Sequence, residues 1–282
     1  KMTQQQHRYW HIALSVALLI AGGISVVATT PYIGTNYDDA HYVGLAKARA
    51  QGAGFRELPV PGHPPETKYP PGWPTLLMPV WWFMPQFPAN AEFFKLVSIF
   101  CTLLFGALSY RWLRLRGQGL PLSALIVLLT LFNANVFRHA SNAFSEMGYA
   151  MIAMVALISL ERYTRRARPT WYEAAIPAVA VAAGFYVRTF GITLAAAGVV
   201  YLLFQRRYRA AGWLAAWCAL LIAPWFLHTL TTPSTTPGYW DELTMRYLEV
   251  PARGSVTPAE FAFRVIVNLR DYLLAGMPGA IF

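Results

Sequence analysis

The amino-acid sequence predicts an all-α polytopic membrane protein of about seven to eight transmembrane helices, with an outer-face loop carrying juxtamembrane helices after the first. Three observations predict it. Of 282 residues, 56% are hydrophobic and only 13% charged, against about 25% charged in soluble domains. Several apolar runs reach the roughly 18–20 residues that cross a bilayer. The Arg residues gather in short loops between those runs.

The net charge of +10 does not point to nucleic acid, because arginines in short loops set topology or meet lipid phosphate. Cys101 and Cys218 lie inside apolar runs and read as small buried residues, not as a disulfide or a metal pair. The first apolar run, roughly 11–30, is long enough to remain as a span and shows no small-residue cleavage pattern.

A polar, basic amino end precedes span 1. The segment from Asn36 to Pro74 follows and is the most polar of the chain. Asp38 and Asp39 open a short helical pattern in which Asp38, Tyr42, Leu45 and Arg49 share a face, and Gly52-Ala53-Gly54 ends it. A proline-rich loop leads to Lys68-Tyr69-Pro70-Pro71-Gly72. Residues 75–88, rich in Trp, Phe and Pro, read as an interfacial or re-entrant piece. Spans 2 and 3 fall at roughly 92–113 and 120–137, and a polar corner at 137–142 separates span 3 from span 4 at roughly 143–161. Spans 5, 6 and 7 fall at roughly 171–187, 190–204 and 212–230, with Arg188-Thr189 marking the reversal between 5 and 6. A polar stretch from 231 to about 271 forms a second outer-face loop, and the chain stops in what reads as a further apolar segment.

The basic corners at 111–116, 162–168 and 206–209 belong with the amino end on the cytoplasmic side. The expected localisation is an integral protein of a bacterial inner (plasma) membrane, its working face periplasmic or exterior. There is no internal repeat.

The candidate chemistry collects on that outer face. Asp38, with Asp39 beside it, is a candidate general base, and the competing role is helix N-terminal capping. Lys68 can meet a phosphate and Tyr69 can stack on a sugar or lipid; a plain positioning linker is the alternative. Arg138, His139, Asn142, Ser145 and Glu146 cluster at the start of span 4. Glu146 could take a metal, a sugar hydroxyl or an internal ion pair with Arg138. Arg188, flanked by Tyr186 and Phe190, suits the forked recognition of a lipid-linked phosphate or simple snorkelling to headgroups. His41, His63, His139 and His228, with Asp or Glu, could hold a divalent metal, although their spacing matches no metal motif and no cofactor is certain. Tyr239, Trp240, Asp241 and Glu242 could close over a substrate, or form part of an aromatic belt.

These features together resemble the membrane glycosyltransferases of the GT-C superfamily, closest to the broad family 39 group of protein O-mannosyltransferases and lipid A aminoarabinose transferases. The resemblance rests on Tyr37-Asp38-Asp39 directly after span 1, the helix and Gly-x-Gly turn ending in Lys68-Tyr-Pro-Pro-Gly72, Ser145-Glu146 opening span 4, and Arg188 at the span 5/6 corner. It covers most of the chain in order, by short and loose motifs. It implies one GT-C-like transmembrane module over 1–282, with 31–90 as the catalytic loop; the soluble carboxy-terminal domain that the family often carries is not expected here. It implies a polyprenyl-phosphate-linked sugar donor taken from the bilayer, an acceptor at the outer face and inversion at the anomeric carbon. Asp38 would be the base, with Asp39 the fallback, and Lys68 and Arg188 would hold the phosphate. Family members are usually longer, which leaves a second reading: a catalytically inactive subunit scaffolding a larger membrane complex. The enzyme reading expects Asp38, Lys68, Glu146 and Arg188 to surround one cavity open to lipid. A transporter would need polar residues near mid-bilayer or interrupted helices, and the spans show few of either.

Overall fold

The computed structural model describes residues 4–35, 37–233, 238, 244–245 and 254–276, with the side chains of 4–11, 13–14 and 275–276 excepted. The described residues are helical, without strands. The helices are α1 (Gln4–Val27), α2 (Tyr37–Ala50), α3 (Gly72–Phe83), α4 (Ala91–Leu115), α5 (Leu120–Leu131), α6 (Ala134–Ala140), α7 (Glu146–Arg165), α8 (Ala175–Val187), α9 (Ile192–Phe204), α10 (Tyr208–Thr231) and α11 (Pro258–Asp271). A helix lies in every stretch read as a span.

Two of them, α4 and α10, are long and apolar enough to cross a membrane, and α5 with α6 makes a third if the pair, bent by 64°, is one span. The helices α8 and α9 have 13 residues each, about 20 Å at 1.5 Å per residue, short of a hydrocarbon core of about 30 Å. The break expected at 137–142 falls at its carboxy-terminal end, and a further bend precedes it. Asn133 caps α6 by accepting from the Asn135 N–H at 2.9 Å, so the chain bends before Ala134 and is helical through Arg138 and His139 to Ala140. A second break, at 141–145, admits α7.

Three apolar clusters hold the helices together. One joins α7, α8, α9 and α10 through Leu160, Val181, Phe185, Leu214 and Trp225. The second joins α2 and α3 to α4 and the start of α7 through Tyr42, Leu45, Trp73, Leu77 and Phe94. The third seats α5 on α4 through Tyr110, Val127 and Leu131. Meanwhile large apolar side chains such as Leu19, Leu129, Ile176, Phe204 and Leu230 face outward.

The helices α2 and α3 are docked at defined points. Trp73 Nε1 donates to Ala143 O at 3.0 Å and Trp81 Nε1 to Val43 O at 3.0 Å. A Cβ on Gly72 would lie 2.5 Å from the Tyr186 carbonyl, and one on Gly148 would lie 2.5 Å from the Trp73 ring. Both positions therefore require glycine so that α3 can sit against α7 and α8. Gly148→Ala is expected to cost about 2 kcal/mol by overpacking and to lower the thermal midpoint by about 5 °C. An unchanged midpoint would mean that the Trp73 contact is not tight.

Candidate functional site

Eight polar side chains from four parts of the chain converge at one end of the bundle. The first two turns of α2 supply Asp38, Asp39, His41 and Tyr42; the proline-rich loop supplies Tyr69; the start of α7 supplies Ser145 and Glu146; the α8 corner supplies Arg188.

The two aspartates do different things. Asp39 is fully buried and accepts from the Gly34 N–H at 3.1 Å and the Ala40 N–H at 2.9 Å. Those bonds tie the start of α2 to the loop before it. Asp38 is half-buried, and its Oδ1 accepts from the Tyr69 hydroxyl at 2.7 Å. This bond orients the carboxylate and joins the two conspicuous motifs of the loop. Lys68 lies with its Nζ 5.2 Å from the Tyr69 ring centroid.

Tyr42, one turn on from Asp38, packs edge-on to Tyr69 at 5.2 Å and shares a 3.0 Å hydrogen bond with the buried Ser145 hydroxyl. Arg188 Nη1 donates to the same hydroxyl at 3.1 Å and pairs with Glu146 Oε1 at 2.6 Å. His139 Nε2 lies 3.8 Å from that carboxylate oxygen. The ion pair weighed between Glu146 and Arg138 is thus replaced by one with Arg188. Arg138 itself is exposed, and its carbonyl accepts from Asn142 Nδ2 at 2.8 Å.

The expectation of one cavity walled by Asp38, Lys68, Glu146 and Arg188 is not met by the cavity beside α2. That cavity, of about 340 Å³, is lined by residues including Tyr37, His41, Glu57 and Val60, and none of the four is on its wall. Tyr42, packed on Tyr69 and hydrogen-bonded to Ser145, links the Asp38–Tyr69 pair to the Arg188–Glu146 pair.

Two carboxylates that the sequence reading passed over lie under this site. Glu57 and Glu66 are 4% and 1% exposed. The Glu66 N–H donates to Phe55 O at 3.0 Å and the Glu57 N–H to Pro64 O at 3.0 Å, around a bridge between Arg56 and Pro65. The loop therefore folds as a short hairpin resting on α10, where His228 Nε2 meets Glu66 O at 3.0 Å. Burial, with Glu57 close by, pushes the Glu66 carboxyl up to about 7 against the pull of the Tyr69 and Lys68 N–H groups. Burial also lowers the His41 imidazole below its usual value, although Glu57 and Asp38 act in the opposite direction.

For Glu66 the folded state holds a proton that the unfolded chain releases above its ordinary value of 4.5. Stability in metal-free buffer is therefore expected to fall as pH rises from 4.5 to about 7, by on the order of 3 kcal/mol. Thermal unfolding across that window checks this: Glu66→Gln should flatten the dependence, and an equal slope in the variant would contradict it.

The opposite end of the bundle is basic. Glu161 binds Arg116 at 3.1 Å and Arg165 at 2.5 Å, and accepts from Trp112 Nε1 at 2.8 Å. Arg166 pairs with Glu173 at 2.6 Å, and Arg207 donates to the carbonyls of Thr164 and Arg166. Tyr239, Trp240, Asp241 and Glu242 lie outside the described residues. Compared with models of protein families, with curated proteins and with solved structures, the chain gives no match.

Proposed function

We propose that the chain is a membrane glycosyltransferase that moves a sugar from a polyprenyl-phosphate-linked donor to an acceptor at the outer face, with Asp38 as general base. In this reading the chain crosses the bilayer about seven times, with the amino end and the arginine-rich corners cytoplasmic and the Asp38 end periplasmic. The 20 residues of α7 run from Glu146 at one end to Arg165 at the other, about 30 Å, which is the thickness of a hydrocarbon core. The outward apolar side chains supply a lipid-facing surface.

The observation that carries the proposal is the convergence of an oriented carboxylate with cations. Asp38, held by Tyr69, takes the proton of an acceptor hydroxyl or amine. The acceptor oxygen or nitrogen forms the new bond to the anomeric carbon as the bond to the phosphate oxygen breaks, so a single displacement inverts the centre. Negative charge then grows on the leaving polyprenyl phosphate, and Lys68 and Arg188 at the same end stabilise it. Glu146 offsets the Arg188 charge at rest and yields it when the donor phosphate arrives.

The test is release of polyprenyl phosphate and transfer of label from a panel of labelled polyprenyl-phosphate sugars, by the full chain in lipid. Turnover with at least one donor is expected. No turnover with any donor, from folded protein, would favour a scaffolding subunit.

A further inference from the structure

We infer that His41, Glu57 and Glu66 form a site for one divalent first-row transition-metal ion, which pins the proline-rich hairpin to α2. One ligand atom from each of the three residues lies within 4.8 Å of the others. The site is built from two separate segments, a helix and a hairpin, so an ion there would act as a cross-link between them.

The hairpin pairing places Glu57 and Glu66 diagonally across a two-stranded ladder, on the same face. The Glu66 carboxylate is anchored on one side only. Its Oε1 accepts from the N–H groups of Lys68 at 2.5 Å and Tyr69 at 2.9 Å, while its Oε2 is buried and, once no proton is shared with Glu57, has no hydrogen-bond partner. A buried carboxylate oxygen left without a partner is costly, and a cation is one of the few things that satisfies it. Neither glutamate takes part in the ion pairs formed among the described residues.

The donor set selects the metal. One imidazole nitrogen with two carboxylates suits a borderline ion better than Mg²⁺ or Ca²⁺, which prefer oxygen alone. Ligand bonds of about 2.1 Å put tetrahedral donors about 3.4 Å apart, so from a spacing within 4.8 Å the three residues need to close by about 1.4 Å at most. His41 and Glu57 also line the 340 Å³ cavity, which leaves the remaining coordination position accessible to water or a ligand oxygen. Because His41 lies one turn from Asp38, and Glu66 holds the N–H of Tyr69, the ion fixes both partners of the Asp38–Tyr69 bond.

This inference is independent of glycosyl transfer, and its test reads no activity. The full chain in lipid, stripped with chelator, is dialysed against Zn²⁺ and analysed for bound metal and thermal midpoint. One Zn²⁺ per chain and a rise of about 5 °C or more at a hundredfold excess over Kd are expected. Both should be lost in His41→Ala, Glu57→Gln and Glu66→Gln. His63→Ala, altered at an exposed position of the same hairpin, should keep them. Should one variant fail to fold, the other two carry the test. Binding equal to wild type in the folded variants, loss of binding in His63→Ala, or an equal stabilisation by Mg²⁺ would overturn the assignment.

Discussion

Asp38→Asn is expected to lower turnover by about 10³-fold, within the range that a positioned general base contributes, while the protein keeps its fold. The substitution preserves shape and leaves an oxygen to accept the 2.7 Å bond from Tyr69, so packing around α2 should survive. What disappears is proton acceptance, because an amide does not take the acceptor's proton. The loss should fall on kcat, with KM for the donor changed little, since in the proposed mechanism Asp38 meets the acceptor and not the lipid. Asp39→Asn should behave in the opposite way. Its carboxylate is buried on two backbone N–H groups, so the variant is expected to lose stability before it loses chemistry. Steady-state kinetics beside thermal unfolding for the two variants separates the roles; retained turnover in Asp38→Asn would move the base elsewhere.

Arg188→Ala is the second large effect, a loss of about 10²-fold or more in transfer, the scale of one removed charge-stabilising donor. Two consequences combine. The leaving phosphate loses a forked cation, and Glu146 loses its 2.6 Å partner, leaving a carboxylate charge to repel the donor. Arg188→Ala with Glu146→Gln should therefore recover part of the loss in donor KM but little in kcat. Arg188→Lys should retain intermediate activity, since a point charge replaces a fork. A double variant no better than the single one would show that Glu146 repulsion contributes nothing.

Much of the helical framework was legible because its signals are local. The acidic start and glycine stop of α2, the apolar runs and the arginine corners all act over a turn or two. The polar corner at 137–142 marked the separation of span 3 from span 4, which falls at 141–145; the further bend before α6, capped by Asn133, was not read. Asp38, Tyr69, Glu146 and Arg188 were legible as candidates by chemistry, but not their pairing. That Tyr69 bonds to Asp38, or that Ser145 links Tyr42 to Arg188, depends on contacts between residues 31 to 103 positions apart. The choice of Arg188 over Arg138 as partner of Glu146 was hidden for the same reason, since both were plausible by charge. Glu57 and Glu66 were missed outright. Their nine-residue separation matches no ligand motif, and only the hairpin pairing puts them on one face.

In the proposed function the donor phosphate is held at the Asp38 end and not among the arginines of the other end, where Arg168, Arg206, Arg207 and Arg209 line a 460 Å³ pocket. Photocrosslinking with a polyprenyl phosphate carrying a reactive group near its phosphate, followed by peptide mapping, tests it directly. Label on segments 66–73 and 185–192, competed by unlabelled polyprenyl phosphate, is the result expected. Competed label confined to 206–213 would place the phosphate at the opposite face and contradict the account.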